Sequence, residues 1–397
     1  MYLKNISLTF VLIAFSACVF ASATERSNSD KVEAVAIYYP HWHTYPHGES
    51  WKGIGWTEYL FMRDTKPRFA GHKQPIVPLL GELDSSKPED VEKEIELAAA
   101  NNVNVFLYDW YWYCGVKNMQ EGLEQGFLKA KNKDKIKFAV MWANHDRRDA
   151  FRTDAEQTYK PWLYSRHSEA DTMKVIDYCI ENYFRQKNYW TVGGKIYFNI
   201  YQPAHFIKEI GGAQKTRELF KKIGEKMKTA GLPQIHWGCM VQFKEDVAAA
   251  KAAGFDSMTS YSVYLTNSPK YKSDTAVLDY SDYADAHKNL WRDVSDPEMQ
   301  YFPVAATGFD TTPRWRNDVN IPLKKKAYPY TGIVANGTAE KFTDLLEDAK
   351  LFAAASKGEP KAVVIYAWNE WTEGGFLLPT QSDGYSYLEA VKKVFSK

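Results

Sequence analysis

The sequence predicts an α/β fold, namely a single (β/α)8 TIM barrel with a long first βα loop. After residue 30, apolar runs of strand length alternate with segments of helical periodicity. Most of these runs are continuously apolar, as expected for parallel strands that are buried on both faces. No linker, repeat or low-complexity tract divides the chain, which favours a barrel over the alternative, an open doubly wound sheet.

The predicted elements follow one another in pairs. The strands share an apolar run that ends at a polar turn, and they span residues 32–40, 103–112, 136–144, 195–201, 235–241, 256–262, 301–307 and 362–368. The helices share apolar residues at helical spacing, and they span residues 88–101, 119–131, 170–185, 204–230, 245–253, 280–294, 339–356 and 384–395. The first connection, residues 41–87, is much longer than an ordinary βα loop, and its aromatic residues favour an ordered, functional loop.

The composition narrows the range of partners. Among 397 residues, 50 basic and 49 acidic side chains leave a net charge of +1, so no nucleic-acid partner is expected. Aromatic residues make up 15% of the chain, which suits both a large core and a site that stacks against sugar rings. Cys114, Cys179 and Cys239 lack CxxC spacing, so they predict neither a zinc site nor a disulfide framework. No metal and no cofactor are expected.

The first 23 residues are predicted to be an export signal. An apolar stretch, residues 6–20, precedes Ala21-Ser22-Ala23, which fits the small-residue rule for signal cleavage. Residues 24–397 would then form a single catalytic domain, secreted or periplasmic. The alternatives are a lipoprotein anchored at the cell surface through Cys18 and a membrane anchor, which the short apolar segment disfavours. No other segment could span a membrane.

The chemistry of a (β/α)8 barrel lies at the carboxyl ends of its strands. Five predicted strand ends and the first loop carry side chains that suit sugar binding or sugar chemistry, so an oligo- or polysaccharide substrate is expected. The candidates for substrate binding are Tyr39, His41, His43, Trp56, Glu58, Asp109, Trp110, Tyr111, Trp142, Asn144, Asp310, Trp368, Asn369 and Trp371.

Glu370 and Glu373 are the candidate catalytic residues. They lie three residues apart after the last predicted strand, and Trp368 and Trp371 flank them. Cleavage of a glycosidic bond requires two carboxyl groups with different proton affinities, and crowding against indole rings separates such affinities. The alternative is that the pair only caps the last helix or binds an arginine.

Several other candidates have a structural alternative. Asp109 and Asn144 suit sugar hydroxyls, but either could make a structural hydrogen bond instead. Asp310 could form a local ion pair with Arg314, four residues later. The His41-x-His43 spacing could supply two metal ligands, but a zinc site needs a third ligand, so hydrogen bonding to hydroxyls is favoured.

Six short segments occur in order between residues 34 and 392. They are Tyr38-Tyr39-Pro40, Gly55-Trp56-Thr57-Glu58, Gly71-His72-x-Gln74-Pro75, Trp142-Ala143-Asn144, Gly308-Phe309-Asp310-x-Thr312-Pro313-Arg314 and Trp368-Asn369-Glu370-Trp371-x-Glu373-Gly374. Together they resemble the WbsX-type, glycoside hydrolase family 99-like proteins, which are related to the family 99 endo-α-mannosidases.

The resemblance implies a (β/α)8 barrel and a role in bacterial glycan processing. The endo-α-mannosidases carry an Asn-Glu-Trp-His-Glu segment that matches Asn369 to Glu373. By this match, Glu370 is the base that takes a proton from the sugar 2-hydroxyl, and Glu373 is the acid/base, with a 1,2-anhydro sugar as the intermediate. Thr372 replaces the His of that segment, and Asn-His-Asp-Arg at residues 144–147 replaces the usual Asn-Glu-Asn-Trp, which leaves the sugar open.

Three functions compete at this point. An exported retaining glycoside hydrolase that cleaves α-linked glycans is favoured, because both carboxylates are present. A glycosyltransferase in polysaccharide assembly is the second, but nucleotide-sugar transfer normally needs a phosphate-binding loop or an acidic metal motif. A carbohydrate-binding protein without catalytic activity is the third.

Overall fold

The computed structural model describes residues 31–148, 151–152, 160–271, 276–319 and 328–396. Residues from Val32 onward cluster into one compact unit. The predicted export signal, residues 1–23, and the alternative lipid-anchor position Cys18 lie outside the described residues. Within the described ranges, no helix is long and apolar enough to cross a membrane.

A curved, parallel sheet forms the centre of this unit. Its strands are β1 (Val32–Tyr38), β2 (Val103–Tyr113), β3 (Lys137–Trp142), β4 (Lys195–Ile200), β5 (Ile235–Met240), β6 (Ser257–Thr259), β7 (Gln300–Tyr301), β8 (Val304–Ala306) and β9 (Lys361–Tyr366). Their order is β7-β6-β5-β4-β3-β2-β1-β9-β8. Most strand residues are buried, which explains the continuous apolar runs in the sequence.

The two end strands of this order, β7 and β8, are consecutive stretches of chain. β7 pairs with β6, and β8 pairs with β9. Between them, the Phe302 N–H donates to the Met258 carbonyl (2.9 Å), and the Val364 N–H donates to the Pro303 carbonyl (2.9 Å). The predicted strand 301–307 is therefore split, because Pro303 has no N–H to continue the ladder. The result is a TIM-barrel-like α/β fold.

Ten α-helices of the described residues surround and cap the sheet. They are α1 (Pro46–Lys52), α2 (Tyr59–Asp64), α3 (Pro88–Ala100), α4 (Glu169–Asn182), α5 (Pro203–Ile210), α6 (Ala213–Thr229), α7 (Lys244–Ala253), α8 (Tyr280–Val294), α9 (Ala339–Ala355) and α10 (Ser386–Phe395). The predicted helix 204–230 is two helices, because Gly211 and Gly212 between α5 and α6 adopt φ of 102° and 108°.

The predicted helix 119–131 is instead a π-turn, Gly122–Gly126, followed by a 3-10 turn, Phe127–Lys129. This segment packs directly on the backbone of the first βα loop. A Cβ atom at Gly122 would lie 2.5 Å from the Pro40 carbonyl oxygen, and one at Gly126 would lie 2.0 Å from that of Ser85. The two glycines thus allow a close approach that positions the loop above β1 and β2.

The first βα loop is ordered and contains α1 and α2. The Ser85 hydroxyl donates to the Pro40 carbonyl (2.9 Å) and accepts from the Trp42 N–H (3.1 Å), so the two ends of the loop are joined. Trp56 packs with Tyr45 and Phe61 in a small hydrophobic cluster of its own. This loop brings Glu58 to the carboxyl end of the sheet.

Candidate active site

The carboxyl ends of the strands open into a cavity of about 760 Å³, a size typical of ligand sites in enzymes. Of the residues predicted from the sequence, Tyr39, Asp109, Tyr111, Glu370 and Glu373 line it. Residues that the sequence analysis did not assign as binding residues complete the wall around the carboxylates, and these include Tyr201, Tyr261, Arg314 and Tyr328.

Asp109 and Glu370 are joined through one tyrosine. The Tyr261 hydroxyl lies 2.7 Å from Oδ2 of Asp109 and 2.5 Å from Oε1 of Glu370. A phenol has one proton to donate, so both contacts are hydrogen bonds only when one of the two carboxyl groups is protonated. Burial, reinforced by the charge of Glu373, raises the pKa of both groups well above their ordinary values, although Tyr261 opposes this. The three residues therefore hold a proton that can be shared.

Glu373 has a different environment. Its Oε1 accepts hydrogen bonds from the Tyr328 hydroxyl (2.6 Å) and from the Arg314 guanidinium. Its Oε2 accepts a hydrogen bond from the Tyr366 hydroxyl. The two carboxyl groups of one cavity thus have distinct hydrogen-bond partners, which are Tyr261 for Glu370 and Arg314, Tyr328 and Tyr366 for Glu373.

Arg314 is the central cation of the site. Its guanidinium lies 3.3 Å from Glu58 and 3.5 Å from Glu370, and it also contacts Glu373. It donates to the Thr372 hydroxyl (2.8 Å), which in turn donates to Oε2 of Glu58 (2.8 Å). The alternative that the two glutamates bind an arginine is therefore part of the observed arrangement, and Thr372 completes it.

Glu58 is the structural counter-ion of Arg314. It is buried, and burial alone would raise its pKa, but Arg314 and the nearby His41 and Tyr39 outweigh burial and hold the pKa of Glu58 well below its usual range. The Tyr39 hydroxyl donates to Oε1 of Glu58 (2.7 Å). Glu58 does not line the cavity, so it supports the site from behind.

The local ion pair between Asp310 and Arg314 is absent from the described contacts. Asp310 instead accepts from the Gln74 amide (2.7 Å) and the Thr312 N–H (2.9 Å), and it lies 2.9 Å from Nε2 of His72. Asp310 therefore anchors the first βα loop instead of facing the cavity. The reason is that the chain turns at Thr312–Arg314, which directs Arg314 toward the two glutamates.

The tryptophans proposed to bind substrate lie in the core and not in the cavity wall. The Trp110 indole donates to Tyr183 (3.0 Å), and the Trp142 indole donates to the carbonyl of Trp112 (3.3 Å). Trp368 packs on Phe106, Trp371 stacks on Phe376, and Trp56 packs in the loop cluster with Tyr45 and Phe61. The aromatic residues that line the cavity are therefore mainly tyrosines and not tryptophans.

The side-chain amides of Asn369 and Asn144, both predicted to bind substrate, form hydrogen bonds with backbone groups. Asn369 accepts from the Tyr39 N–H (2.8 Å) and donates to the Tyr39 carbonyl (2.9 Å), which ties the end of β1 to the Glu370 segment. Asn144 accepts from the Gln202 N–H (2.6 Å) and donates to the Gln202 carbonyl (3.1 Å), which ties β3 to β4 in the same way. Both amides therefore position the strand ends.

His41 and His43 lie behind Tyr39. Nδ1 of His41 is 3.1 Å from the Tyr39 hydroxyl, and Nδ1 of His43 is 2.9 Å from the Ser85 hydroxyl. Burial lowers the pKa of His41 to about 4, even though Glu58 opposes this shift. The His41 ring thus lies between the Tyr39 phenol and the Glu58 carboxylate, where it helps to hold both.

Comparison with known proteins places this architecture in a family. The family model described as "Glycosyltransferase WbsX" matches residues 34–391. The chain belongs to the WbsX family. The two curated relatives it matches are uncharacterized WxcX proteins from two strains of Xanthomonas campestris pv. campestris, each 25% identical over 369 residues. The match covers 91% of this chain and 49% of each relative, so the chain spans about half their length.

Solved structures resemble this WbsX protein in fold. A GH99 endo-α-mannosidase from Bacteroides thetaiotaomicron is similar with a TM-score of 0.55 at 14% identity, over 92% of this chain and 96% of that one. A protein described as glycoside hydrolase-like is similar with a TM-score of 0.56 at 15% identity, over 92% and 94% of the two chains. The family expected from the sequence motifs is thus confirmed, and at this level of identity the structural likeness concerns the fold.

Sequence reasoning missed the tyrosines of the site. Tyr261 and Tyr366 fall inside predicted strands, 256–262 and 362–368, so a hydroxyl at the carboxyl end of each strand was the available signal. Tyr328 lies in the long connection after β8, far from any motif, and no sequence signal marks it. Arg314 was noted, but its partners lie 256 and 59 residues away in the chain.

The raised pKa of Asp109 predicts a pH dependence of stability. The unfolded chain releases this proton near the ordinary aspartate pKa, about 3.9, whereas the folded protein keeps it to higher pH. The folded state then binds more protons, so the free energy of unfolding should fall as pH rises above about 4, by up to ~1.4 kcal/mol per pH unit. Asp109→Asn should reduce this slope in denaturant unfolding measured between pH 4 and pH 8, and Glu370, whose pKa is also raised, accounts for what remains.

Asp310→Asn is the matched control, because Asp310 should change the free energy of unfolding with pH in the opposite direction to Asp109. Burial opposes ionisation of Asp310, but His72 and Gln74 hold its pKa below the ordinary value. Its stabilising contribution is present above the unfolded pKa and is lost as pH falls, so the wild-type advantage over this variant should grow with pH. Equal slopes for wild type and Asp109→Asn would contradict the shared proton.

Proposed function

We propose that this WbsX family member is a retaining glycoside hydrolase that acts on α-linked glycans, mannose-containing glycans among them. The observation that carries the proposal is the pair Glu370 and Glu373, which share one cavity but have different partners. Glu370 shares a proton with Asp109 through Tyr261, and Glu373 is held by Arg314, Tyr328 and Tyr366. Separated environments of this kind are what division into base and acid requires.

The proposed roles follow the family resemblance. With the shared proton on Asp109, Glu370 is the ionised member of the pair, and it takes the proton of the sugar 2-hydroxyl while that oxygen attacks C1. The C1–O bond to the leaving group breaks, and Glu373 gives its proton to the leaving oxygen. Water then opens the 1,2-anhydro ring at C1, with Glu373 taking a proton from the water and Glu370 returning one to O2. Two inversions at C1 give net retention, and both carboxyl groups end in their starting states.

The surrounding residues support these roles. Tyr261 and Asp109 offer a neighbouring position for the proton that Glu370 accepts and returns. Arg314 contacts both glutamates, so it holds the two carboxyl groups in a fixed arrangement within the cavity. The tyrosines of the wall present an apolar ring and a hydroxyl, which together suit the faces and edges of a sugar.

A glycosyltransferase is the second candidate, because the family model carries that description. Product analysis separates the two functions. Incubation with α-linked oligosaccharides of mannose, glucose, galactose and their uronic acids should release shorter sugars, and NMR of fresh products should find the anomeric configuration retained. A variant with both Glu370→Gln and Glu373→Gln is the control. Transfer from nucleotide sugars without hydrolysis of any oligosaccharide would favour the transferase.

A further inference from the structure

Arg147 lies in the wall of the catalytic cavity, together with Tyr111 and Asp109. Arg147 follows β3 in the chain, and both its backbone N–H and its carbonyl are hydrogen-bonded in an antiparallel bridge with Leu163. The Arg147 N–H donates to the Leu163 carbonyl (3.0 Å), and the Trp162 N–H donates to the Arg147 carbonyl (2.9 Å). Its guanidinium carbon lies 5.3 Å from the centre of the Tyr111 ring. The position of this cation is therefore defined by the fold.

Arg147 differs from Arg314 in forming no ion pair with any carboxylate that the structure describes. Among the described residues, the Arg147 side chain makes no ion pair and no hydrogen bond, and it lies over the ring of Tyr111 in a cluster of tyrosines. The nearest carboxylate in the chain, Asp146, is already used, because it accepts from the Ser165 N–H (2.9 Å) and lies 3.4 Å from Arg148. A half-buried guanidinium thus lines the cavity, and no acceptor in the described part of the chain pairs with its donors.

We propose that the cavity binds a glycan that carries an oxyanion substituent, a carboxylate or a sulfate ester, and that Arg147 is the residue that binds it. The inference rests on the proposed function, since it names the substrate class of the same cavity. A sugar that enters the cavity displaces the water around Arg147, so donors without new acceptors would be left unsatisfied. A planar guanidinium matches a carboxylate or a sulfate with two parallel hydrogen bonds.

The competing explanation is that Arg147 only packs on Tyr111. A cation–π contact of this kind stabilises the loop but gives no preference between charged and neutral substrates. Arg185→Met is a matched control for the loss of an arginine, because Arg185 is exposed and binds only the Ala230 carbonyl among the described residues. A change in preference for charge separates the two explanations, whereas a loss of stability does not.

Binding is measured first, because it does not depend on turnover. The probes are α-1,3-linked mannose oligosaccharides, the same chains oxidised at C6 to uronic acids, and the same chains sulfated at O6. A second set is α-1,4-linked oligogalacturonate and its carboxyl-reduced form. Calorimetry with the Glu373→Gln protein should find at least one charged form bound about 30-fold or more tighter than its neutral parent. The sulfated and oxidised arms decide which oxyanion is recognised.

In the Glu373→Gln protein, the further change Arg147→Met should reduce the ratio of charged-form to neutral-form affinity toward one. The further change Arg185→Met should leave that ratio unchanged. In otherwise wild-type protein, the ratio of kcat/KM for charged over neutral substrate should fall in the same way. Neutral forms bound as well as charged forms in both sets would overturn the inference, as would a preference that survives in Arg147→Met. Charge-selective, Arg147-dependent binding without hydrolysis would instead overturn the proposed function and leave this inference standing.

Discussion

Glu373→Gln should lower turnover by about a hundredfold or more, the usual scale for loss of a positioned acid or base. The change removes a charge and little volume, the amide oxygen can still accept from Tyr328, and the amide N–H can donate to the Tyr366 oxygen, so the fold should be kept. A substrate with a very good leaving group needs little protonation. An aryl glycoside of the sugar found by product analysis should therefore restore much of the first step in Glu373→Gln.

Glu370→Gln should lose as much activity but should not be restored by that aryl glycoside. Removal of the proton from the 2-hydroxyl is needed whatever group leaves, and an amide cannot accept it. A 2-deoxy or 2-fluoro substrate should be inert toward wild type for the same reason. Burst and steady-state kinetics on the two variants provide the comparison. Equal rescue of both variants would refute the assigned roles, and full activity in either would remove that residue from the mechanism.

Arg314→Met should have the largest effect on stability. The guanidinium is 3% exposed and lies against Glu58, which is 1% exposed, as well as against Glu370 and Glu373. Removing one partner of a buried ion pair leaves an uncompensated charge and costs about 3–5 kcal/mol. We expect a loss of this size in denaturant unfolding at pH 7. Turnover should also fall, because both glutamates lose the cation that holds them in place.

The pH dependence tests the cause of this loss. Arg314 holds the pKa of Glu58 below its ordinary value, so the stabilisation is present above the unfolded pKa, about 4.3, and is lost as pH falls further. The difference between wild type and Arg314→Met should therefore shrink below about pH 4. Arg63→Met is the control, because the Arg63–Glu82 pair is largely exposed and should contribute less than about 1 kcal/mol. A pH-independent loss in Arg314→Met would assign the effect to packing.

Local rules account for the parts of the fold that were predicted correctly. Continuous apolar runs predict parallel strands because such strands are buried on both faces, and the observed bounds differ from the predicted ones by one to three residues at most ends. The exceptions have local causes. Pro303 interrupts the strand that joins both ends of the sheet, and Gly211-Gly212 divide a helix. The consecutive glycines in the second case were readable in the sequence.

The sequence by itself determined the fold class, the family and the position of Glu370 and Glu373 at a strand end. It could do so because strand periodicity and motif order are properties of neighbouring residues. The tertiary structure decided which side chains face the cavity. A tryptophan beside a strand end can point into the core or toward the site. The indoles that lie in the core are those of Trp110, Trp142, Trp368 and Trp371. It also decided the partners of Arg314. Contacts between residues far apart in the chain depend on how the sheet curves. No pattern among neighbouring residues in the sequence specifies that curvature.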